Sequence, residues 1–234
     1  MQIAPSEQVL RNGNWYETPA PKRFLDVATA LIGLTIGLPI LLFIGIAIAL
    51  ESRGSVLYSQ ERVGLNGCIF RMFKFRSMVI DAERESGPVW CTEVDPRVTR
   101  VGAVLRRTHL DELPQLLNVL RGEMSVVGPR PERPAMVERL TSLVPGYHER
   151  WAVLPGITGL AQVRHVYDQS TKTVKQKLRY DRCYLRGRGS VALDLKIMAA
   201  TVAMIAGGGV RKTPQAPVLT RTRGLSAKEA LSKP

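Results

Sequence analysis

The chain has 234 residues, of which 33 are lysine or arginine and 20 are aspartate or glutamate, so its formal net charge is +13. This length suffices for one main domain with attachments. The basic excess favours an anionic partner, such as nucleic acid, a phosphate-rich ligand or an anionic membrane face, and charge does not choose among them. Three cysteines exclude a disulfide-rich secreted scaffold, and we expect them to be small buried side chains in a reducing compartment.

The first feature along the chain is a long apolar stretch. Residues 1–21 contain three prolines and little periodicity, which predicts a flexible lead-in. Residues 27–50 follow as 24 residues without a charge, whereas a helix needs only about 20 residues to cross the hydrocarbon core. The apolar region of a cleaved signal peptide spans about 7 to 15 residues, so this stretch is too long for that class.

Basic residues flank the apolar stretch on both sides, with Lys22 and Arg23 before it and Arg53 after it. Positive charge favours the cytoplasmic side, so a straight span leaves one flank in the wrong place. Pro39 removes a backbone donor near the middle and predicts a kink. We therefore predict a re-entrant membrane helix over residues 22–55, broken at Pro39, that enters and leaves by the same face. A kinked single-pass helix is the open alternative.

The remainder predicts a mainly helical α/β domain over residues 56–210. Asn66-Gly67 lies between two alternating segments and predicts a small β-hairpin, and Gly122 closes a short helix. Further helices are predicted over residues 98–108, 135–143, 171–185 and 191–206, with a loop over residues 154–163. The helix over 191–206 is too short to span, so it is either buried or lies along a membrane surface. A basic tail over residues 211–234 predicts disorder.

The stretch RRTHLDELPQL contains an adjacent carboxylate pair, Asp111 and Glu112. Two neighbouring carboxylates can hold a divalent cation, which prefers oxygen ligands and often keeps substrate phosphates as its other ligands. The pair is also explained by helix capping: Thr108 precedes Asp111 by three residues, as in a capping box, and Pro114 suits a first helical turn. On this stretch alone, capping is the favoured interpretation.

Cations in other segments favour a phosphate-binding site over helix capping as the role of the carboxylate pair. Lys74 and Arg76 share one face of the second hairpin strand, and Arg106 lies just before the carboxylates. Arg130 stands between two prolines, which pre-organise its guanidinium for phosphate. Each of these cations taken singly is typical of a solvated surface. Together with the carboxylates and a metal they would suit phosphate chemistry beside a membrane.

Six motifs follow one another around the proline-broken apolar run: KRFLDV, QERVGLNG, FRMFKFRSM, LDELPQLLNVLRGEMSVVGPRP, PGITGLAQV and LDLKI. This order closely resembles the bacterial sugar transferase family, the monotopic phosphoglycosyl transferases that start glycan assembly on a polyprenol. The resemblance covers residues 22–207 and indicates the minimal catalytic form of the family.

The resemblance implies transfer of a sugar-1-phosphate from a UDP-sugar to polyprenyl (undecaprenyl) phosphate, giving polyprenyl-diphosphate-sugar and UMP, with Mg²⁺ as cofactor. Asp111 matches the family's nucleophile, which forms an aspartyl-phosphosugar intermediate. Glu112, with Asp111, would hold the metal. Lys74, Arg106 and Arg130 would bind phosphate or support the site. The membrane helix of the family breaks at a Ser-Pro pair, which here is Leu38-Pro39.

The family context implies a location on the cytoplasmic face of the bacterial inner membrane, with membrane lipid as a partner and no nucleic acid. The product would initiate exopolysaccharide, capsule, O-antigen or glycoprotein glycan assembly. The sugar, the pathway, a homo-oligomeric state and contacts with downstream glycosyltransferases are left open. A rival interpretation is a single-pass membrane adaptor whose basic domain binds nucleic acid or anionic lipid. That interpretation leaves Asp111 and Glu112 as a helix cap.

Overall fold

The computed structural model describes residues 18–82, 95–164 and 171–207. The described part is mainly helical, with two small two-stranded sheets. Its helices and strands in chain order are α1 Ala20–Glu51, β1 Leu57–Val63, β2 Ile69–Phe75, α2 Arg100–Thr108, α3 Gln115–Arg121, β3 Ser125–Val127, α4 Pro134–Leu143, β4 Gly156–Thr158, α5 Leu160–Val163, α6 Thr171–Arg186 and α7 Val191–Ala206. Most of the predicted lead-in and the whole predicted tail lie outside the described residues.

Helix α1 contains 32 residues and continues through Pro39. The structure therefore does not confirm the break predicted at Leu38-Pro39. A proline removes one backbone hydrogen bond, whereas leaving the helical path would strand several polar backbone groups among apolar side chains. The helix begins with a proline in its first turn, where the missing donor costs nothing.

The middle of α1 exposes a large apolar surface. By length and composition this helix can cross a membrane, and only 11% of its most apolar 18-residue window is buried. An exposed apolar surface of this size marks contact with lipid or another protein, and α1 is compatible with membrane association. The exposed large side chains of α1 are Phe24, Leu31, Ile32, Ile36, Leu38, Ile40, Leu42, Phe43, Ile46 and Leu50.

The two ends of α1 are both tied to the rest of the structure. At the first end, Lys22 is 3% exposed and its Nζ donates to Asp194 Oδ2 at 2.7 Å and to Ser125 Oγ at 2.8 Å. Asp26 accepts from the backbone N–H of Val126 at 2.9 Å. These contacts join the KRFLDV motif to β3 and to the LDLKI motif on α7.

At the other end of α1, Arg76 donates to the carbonyls of Ser52 at 2.8 Å and Arg53 at 2.5 Å. The carboxylate of Glu51 accepts from the backbone N–H of Val101 at 3.1 Å, in the first turn of α2, where an anion offsets the helix dipole. Both ends of α1 therefore pack on the same body of the protein.

The predicted hairpin is confirmed. β1 and β2 pair antiparallel from Val63 opposite Ile69 to Leu57 opposite Phe75. Asn66 and Gly67 in the connection adopt positive φ values of 56° and 78°, the backbone conformation that this residue pair tolerates.

The predicted loop over residues 154–163 is wrong. Its first part forms β4, which pairs parallel with β3, and its second part forms α5. Strands of three residues are too short to show a periodic pattern. A Cβ on Gly156 would lie 2.1 Å from the Gly128 nitrogen, so this pairing needs glycine at that position.

The main core lies between α1, the hairpin, α3, β3 and α7, around Ala30, Met72, Val119, Val127 and Ile197. The cysteine prediction fails at two positions that the structure describes, because Cys68 and Cys183 are exposed. The remaining predicted helices are confirmed, including the Gly122 stop after α3, where φ is 80°.

Candidate active site

The carboxylate pair lies in a tight reversal between α2 and α3. Helix α2 ends at Thr108, and His109 takes a left-handed conformation with φ 59°. The chain then makes a single 3₁₀ turn over Leu110–Glu112 before α3 begins. This path places Asp111 and Glu112 inside the protein, at 3% and 5% exposure.

The capping interpretation of the pair is wrong. The hydroxyl of Thr108 donates back to the carbonyls of Val104 at 2.8 Å and Leu105 at 3.2 Å within its own helix. Neither the 3₁₀ turn nor α3 has a side-chain hydrogen bond from its N-cap residue. Burying two carboxylates is costly unless cations compensate them, so these side chains have another role than capping.

Two cations from distant segments converge on Glu112. Arg130 donates Nη2 to Oε1 at 2.5 Å and Nη1 to Oε2 at 3.0 Å, a bidentate pair. Lys74, from β2, donates Nζ to the same Oε1 at 3.3 Å. Burial lowers the pKa of Arg130, but the charge and hydrogen bonds of Glu112 and the charges of Glu132 and Asp111 together raise it by more, so the pKa lies above the ordinary arginine value. Arg130 thus remains a cation.

The other predicted site residues lie elsewhere. Arg106 is in the last turn of α2, and no hydrogen bond or ion pair joins it to Asp111 or Glu112 in the described residues. The pKa of Asp95 is lowered chiefly by a hydrogen bond from Arg97, with a smaller effect from the charge of Arg106. Arg76 follows β2 and serves the end of α1. Pro39 lies in the exposed middle of α1.

A second charged cluster, in the segment that follows Arg130, was not predicted from the sequence. Glu132 accepts from Lys177 Nζ at 2.6 Å and lies 3.9 Å from Arg62 Nη1. Burial raises the pKa of Glu132, but the charges of Lys177, Arg150 and Arg62 lower it by more, to about 2. The recurring prolines around Arg130 signalled a rigid loop, but its partners come from distant positions that no local pattern reveals.

The donor set for a metal consists of two carboxylates. No group of three or more His, Cys, Asp or Glu side chains that could hold a metal occurs among the residues that the structure describes. Mg²⁺ is often bound by only one or two carboxylates, with water and substrate phosphate as its other ligands. Asp111 and Glu112 fit that type of site, and Glu112 would then be shared between a metal and its two cationic partners, Lys74 and Arg130.

An apolar groove opens beside the carboxylates. Its volume is about 520 Å³, and it runs between α1, the hairpin and the start of α3. Leu41 and Gly45 of α1 line one side, Phe75 of β2 another, and Pro114 and Leu117 the end nearest the site. Pro114 follows Glu112 by two residues, so this part of the groove is the part nearest to the carboxylates along the chain.

Comparison with known proteins assigns the class that this arrangement suits. The model of the bacterial sugar transferase family matches residues 17–208. The chain therefore belongs to the bacterial sugar transferase family and is a transferase enzyme. This result confirms the resemblance in the six motifs.

Named relatives agree with the family match. A putative undecaprenyl-phosphate N-acetylgalactosaminyl 1-phosphate transferase of Bacillus subtilis is 54% identical over 131 residues, 56% of this chain and 73% of the relative. The exopolysaccharide production protein PSS of Rhizobium leguminosarum is 44% identical over 185 residues, 77% of this chain and 92% of that protein. A UDP-glucose:undecaprenyl-phosphate glucose-1-phosphate transferase of Klebsiella pneumoniae is 43% identical over 183 residues, 77% of this chain and 39% of that protein.

Proposed function

We propose that this enzyme transfers a sugar-1-phosphate from a UDP-sugar to polyprenyl phosphate, the first step of assembling a bacterial polysaccharide. The observation that carries the proposal is the buried Asp111, beside a Glu112 whose charge is offset by Lys74 and Arg130, at the end of an apolar groove. Two of the relatives named above supply the substrate class, since their names specify undecaprenyl phosphate and, for one of them, UDP-glucose.

The chemistry proceeds as two displacements at one phosphorus atom. A carboxylate oxygen of Asp111 attacks the phosphorus that carries the sugar, an Asp–O–P bond forms, and the bond to UMP breaks. A phosphate oxygen of the lipid then attacks the same phosphorus, and Asp111 leaves as a carboxylate. The covalent stage allows the water-soluble donor and the lipid acceptor to use the site in turn.

The cations stabilise the charge that both displacements move. Lys74 and Arg130 neutralise Glu112, which otherwise would repel the diphosphate of the donor. We include Mg²⁺ in the proposal, held by Glu112 and Asp111; when bound, it offsets negative charge on the diphosphate and on departing UMP.

We also propose that α1 is re-entrant and seats the enzyme on the cytoplasmic face of the inner membrane. A straight helix of 32 residues extends about 48 Å, more than the hydrocarbon core of about 30 Å. A straight crossing therefore carries one end to the far side, whereas both ends here contact the same body, through Lys22 and through Glu51. Helix α7, with exposed Val202 and Ile205, would lie along the same interface.

The adaptor alternative gains no support. It required Asp111 and Glu112 to act as a helix cap, and the Thr108 hydrogen bonds contradict that role. The family match places the chain among enzymes.

The deciding experiment incubates the purified protein with polyprenyl phosphate, Mg²⁺ and a panel of UDP-sugars and measures UMP release. Asp111→Asn should lower turnover by about 10³-fold or more, because an amide cannot form the acyl phosphate. Asp81→Asn is the matched control, since Asp81 is exposed and has φ 58°, a conformation that asparagine accepts.

UMP release with at least one sugar, lost only in Asp111→Asn, would support the proposal. Release that persists in Asp111→Asn would remove Asp111 as nucleophile, and no release with any donor would contradict the transfer itself. Chelator should stop the reaction and added Mg²⁺ restore it; indifference to chelator would refute the metal assignment.

A further inference from the structure

We propose that Arg150 is a positioning residue for this reaction: it holds the backbone of Arg130 so that the Arg130 guanidinium meets Glu112. The inference rests on the proposed function, because the placement of Arg130 affects turnover only if transfer occurs at Glu112 and Asp111. The hydrogen bonds of Arg150 that carry the inference go to Asp181, to Tyr147 and to the backbone of Arg130.

The loop that carries Arg130 is held through its carbonyls. Two of its residues are prolines and have no N–H to donate, so a regular strand cannot form there. Four successive carbonyls instead accept hydrogen bonds from four separate donors. The carbonyls of Pro129, Arg130, Pro131 and Glu132 accept from Gly156 N at 3.0 Å, Arg150 Nη2 at 2.8 Å, Arg62 Nη1 at 3.0 Å and Val63 N at 2.9 Å, respectively.

Of these four donors, Arg150 is the one that binds the carbonyl of Arg130 itself. It is 4% exposed, and its planar guanidinium reaches three partners at once. Nε donates to Asp181 Oδ2 at 2.8 Å, Nη1 to Tyr147 Oη at 2.5 Å and Nη2 to the Arg130 carbonyl at 2.8 Å. Asp181 and Tyr147 fix the plane of the guanidinium, and the plane fixes the Arg130 backbone.

The chain contains a matched ion pair without the extra bond. Arg182 donates Nε and Nη2 to Glu149, both at 2.7 Å. This pair and the Arg150–Asp181 pair join the same two elements, the 3₁₀ segment Tyr147–Ala152 and helix α6. Arg182 also donates to the carbonyl of Pro145, and no hydrogen bond joins it to the Arg130 loop in the described residues. Substitution of Arg182 therefore tests only the docking of these two elements, whereas substitution of Arg150 also tests the positioning of Arg130.

The kinetic test compares Arg150→Lys, Arg182→Lys, Arg130→Lys and the double variant Arg130→Lys/Arg150→Lys. A lysine keeps the charge opposite Asp181 but cannot reach three partners in one plane. Arg150→Lys should lower kcat about tenfold, the worth of one hydrogen bond to a charged group, with KM for polyprenyl phosphate unchanged. Arg182→Lys should stay within about twofold of wild type, as expected of an exposed pair.

The kcat of the double variant distinguishes positioning of Arg130 from a purely structural role. If Arg150 acts through Arg130, the double variant should be no slower than Arg130→Lys alone. The inference would be overturned if the loss of kcat in the double variant equalled the product of the two single losses. It would also be overturned if Arg150→Lys and Arg182→Lys lost kcat equally, with equal falls in Tm.

Amide hydrogen exchange tests whether Arg150 holds the Arg130 loop, and it does not require that the enzyme turn over. The amides of Val63 and Gly156, which donate to the loop carbonyls of Glu132 and Pro129, should exchange faster in Arg150→Lys than in wild type or Arg182→Lys, because loss of one anchor loosens the loop. Unchanged exchange would overturn the inference even if no UDP-sugar is turned over. An active wild type with multiplying losses would refute the positioning role and leave the proposed function intact.

Discussion

Several cationic side chains of this protein lie in its interior. Three of them are each at most 4% exposed: Lys22, Arg150 and Lys177. Lysine and arginine are usually exposed, so their burial could not be predicted from residue type. Each has an acidic partner close by: Asp194 at 2.7 Å, Asp181 at 2.8 Å and Glu132 at 2.6 Å, respectively. A buried charge is tolerated when it is paired and hydrogen-bonded, and removing one partner is costly.

The Lys22–Asp194 pair allows that cost to be measured. Lys22→Met leaves Asp194 buried without its cation and should lower the free energy of unfolding by about 3 to 5 kcal/mol. Denaturation in detergent micelles, followed by near-UV circular dichroism, gives the value. Lys196→Met is the matched control, because Lys196 is exposed on the same helix, and it should change stability by no more than about 0.5 kcal/mol.

Adding Asp194→Asn to Lys22→Met should recover part of the loss, because one of the two buried carboxylates near Lys22 loses its charge while Asp26 remains. A loss in Lys22→Met as small as that of the control would show that the pair does not secure α1.

At the scale of elements, the groove between α1 and the hairpin links membrane attachment to catalysis. Its walls are apolar, and its inner end meets Pro114 beside the carboxylates. Under the proposed function, an isoprenoid chain in this groove would place the lipid phosphate near Glu112. Helix α1 would then both seat the enzyme at the membrane and form a wall of the acceptor site.

Filling the groove with a larger side chain should weaken binding of the lipid substrate and leave binding of the UDP-sugar unchanged. Gly45 lines the groove, and a Cβ there would meet Val56 Cγ1 at 3.6 Å, an ordinary contact. Gly45→Leu should raise the KM for polyprenyl phosphate about tenfold by excluding the chain, which corresponds to about 1.4 kcal/mol, with the KM for the UDP-sugar unchanged. Steady-state kinetics with each substrate varied separately measures both constants.

Gly37→Leu is the control, since no atom lies within 4 Å of a Cβ there. Both variants replace a helical glycine with leucine, so the gain in helix propensity cancels between them. Equal KM values for polyprenyl phosphate in the two variants would refute the groove as the acceptor site.

For the whole molecule, the arrangement of α1 decides how the enzyme meets the membrane. The helix presents an apolar surface along its middle, and both of its ends contact the same body. Under the proposed function, this arrangement would bring a soluble nucleotide donor and a lipid acceptor to one interface. A crossing helix would instead separate its two flanks.

Topology labelling tests that arrangement in cells. Single cysteines replace Ala20, Leu38 or Ser55, all exposed, after Cys68, Cys91 and Cys183 are changed to serine. Cysteines at positions 20 and 55 should both react with an impermeant thiol reagent only when the cytoplasmic face is open, and position 38 should be protected by lipid. Labelling of positions 20 and 55 from opposite faces would establish a single-pass helix.

The local elements were predictable because their signals are local. Apolar periodicity defines α2 and α6, a continuous apolar run defines α7, Asn66-Gly67 defines the hairpin, and Gly122 stops α3. The Asp111-Glu112 pair and its family were recognisable for a related reason: the motifs are contiguous and occur in a fixed order. The loop predicted over residues 154–163 failed because β4 depends on a partner strand rather than on its own pattern.

The chain by itself therefore determined the apolar anchor, most of the helices, the carboxylate pair and the family. Only the tertiary structure decided which cations serve the carboxylates: Lys74 and Arg130 reach Glu112, whereas Arg106 does not. It also decided that Lys22 pairs with Asp194, 172 positions away in the chain. Secondary structure follows from neighbours within a few residues, but the partners of a charge depend on how whole elements pack, and no local period encodes that packing.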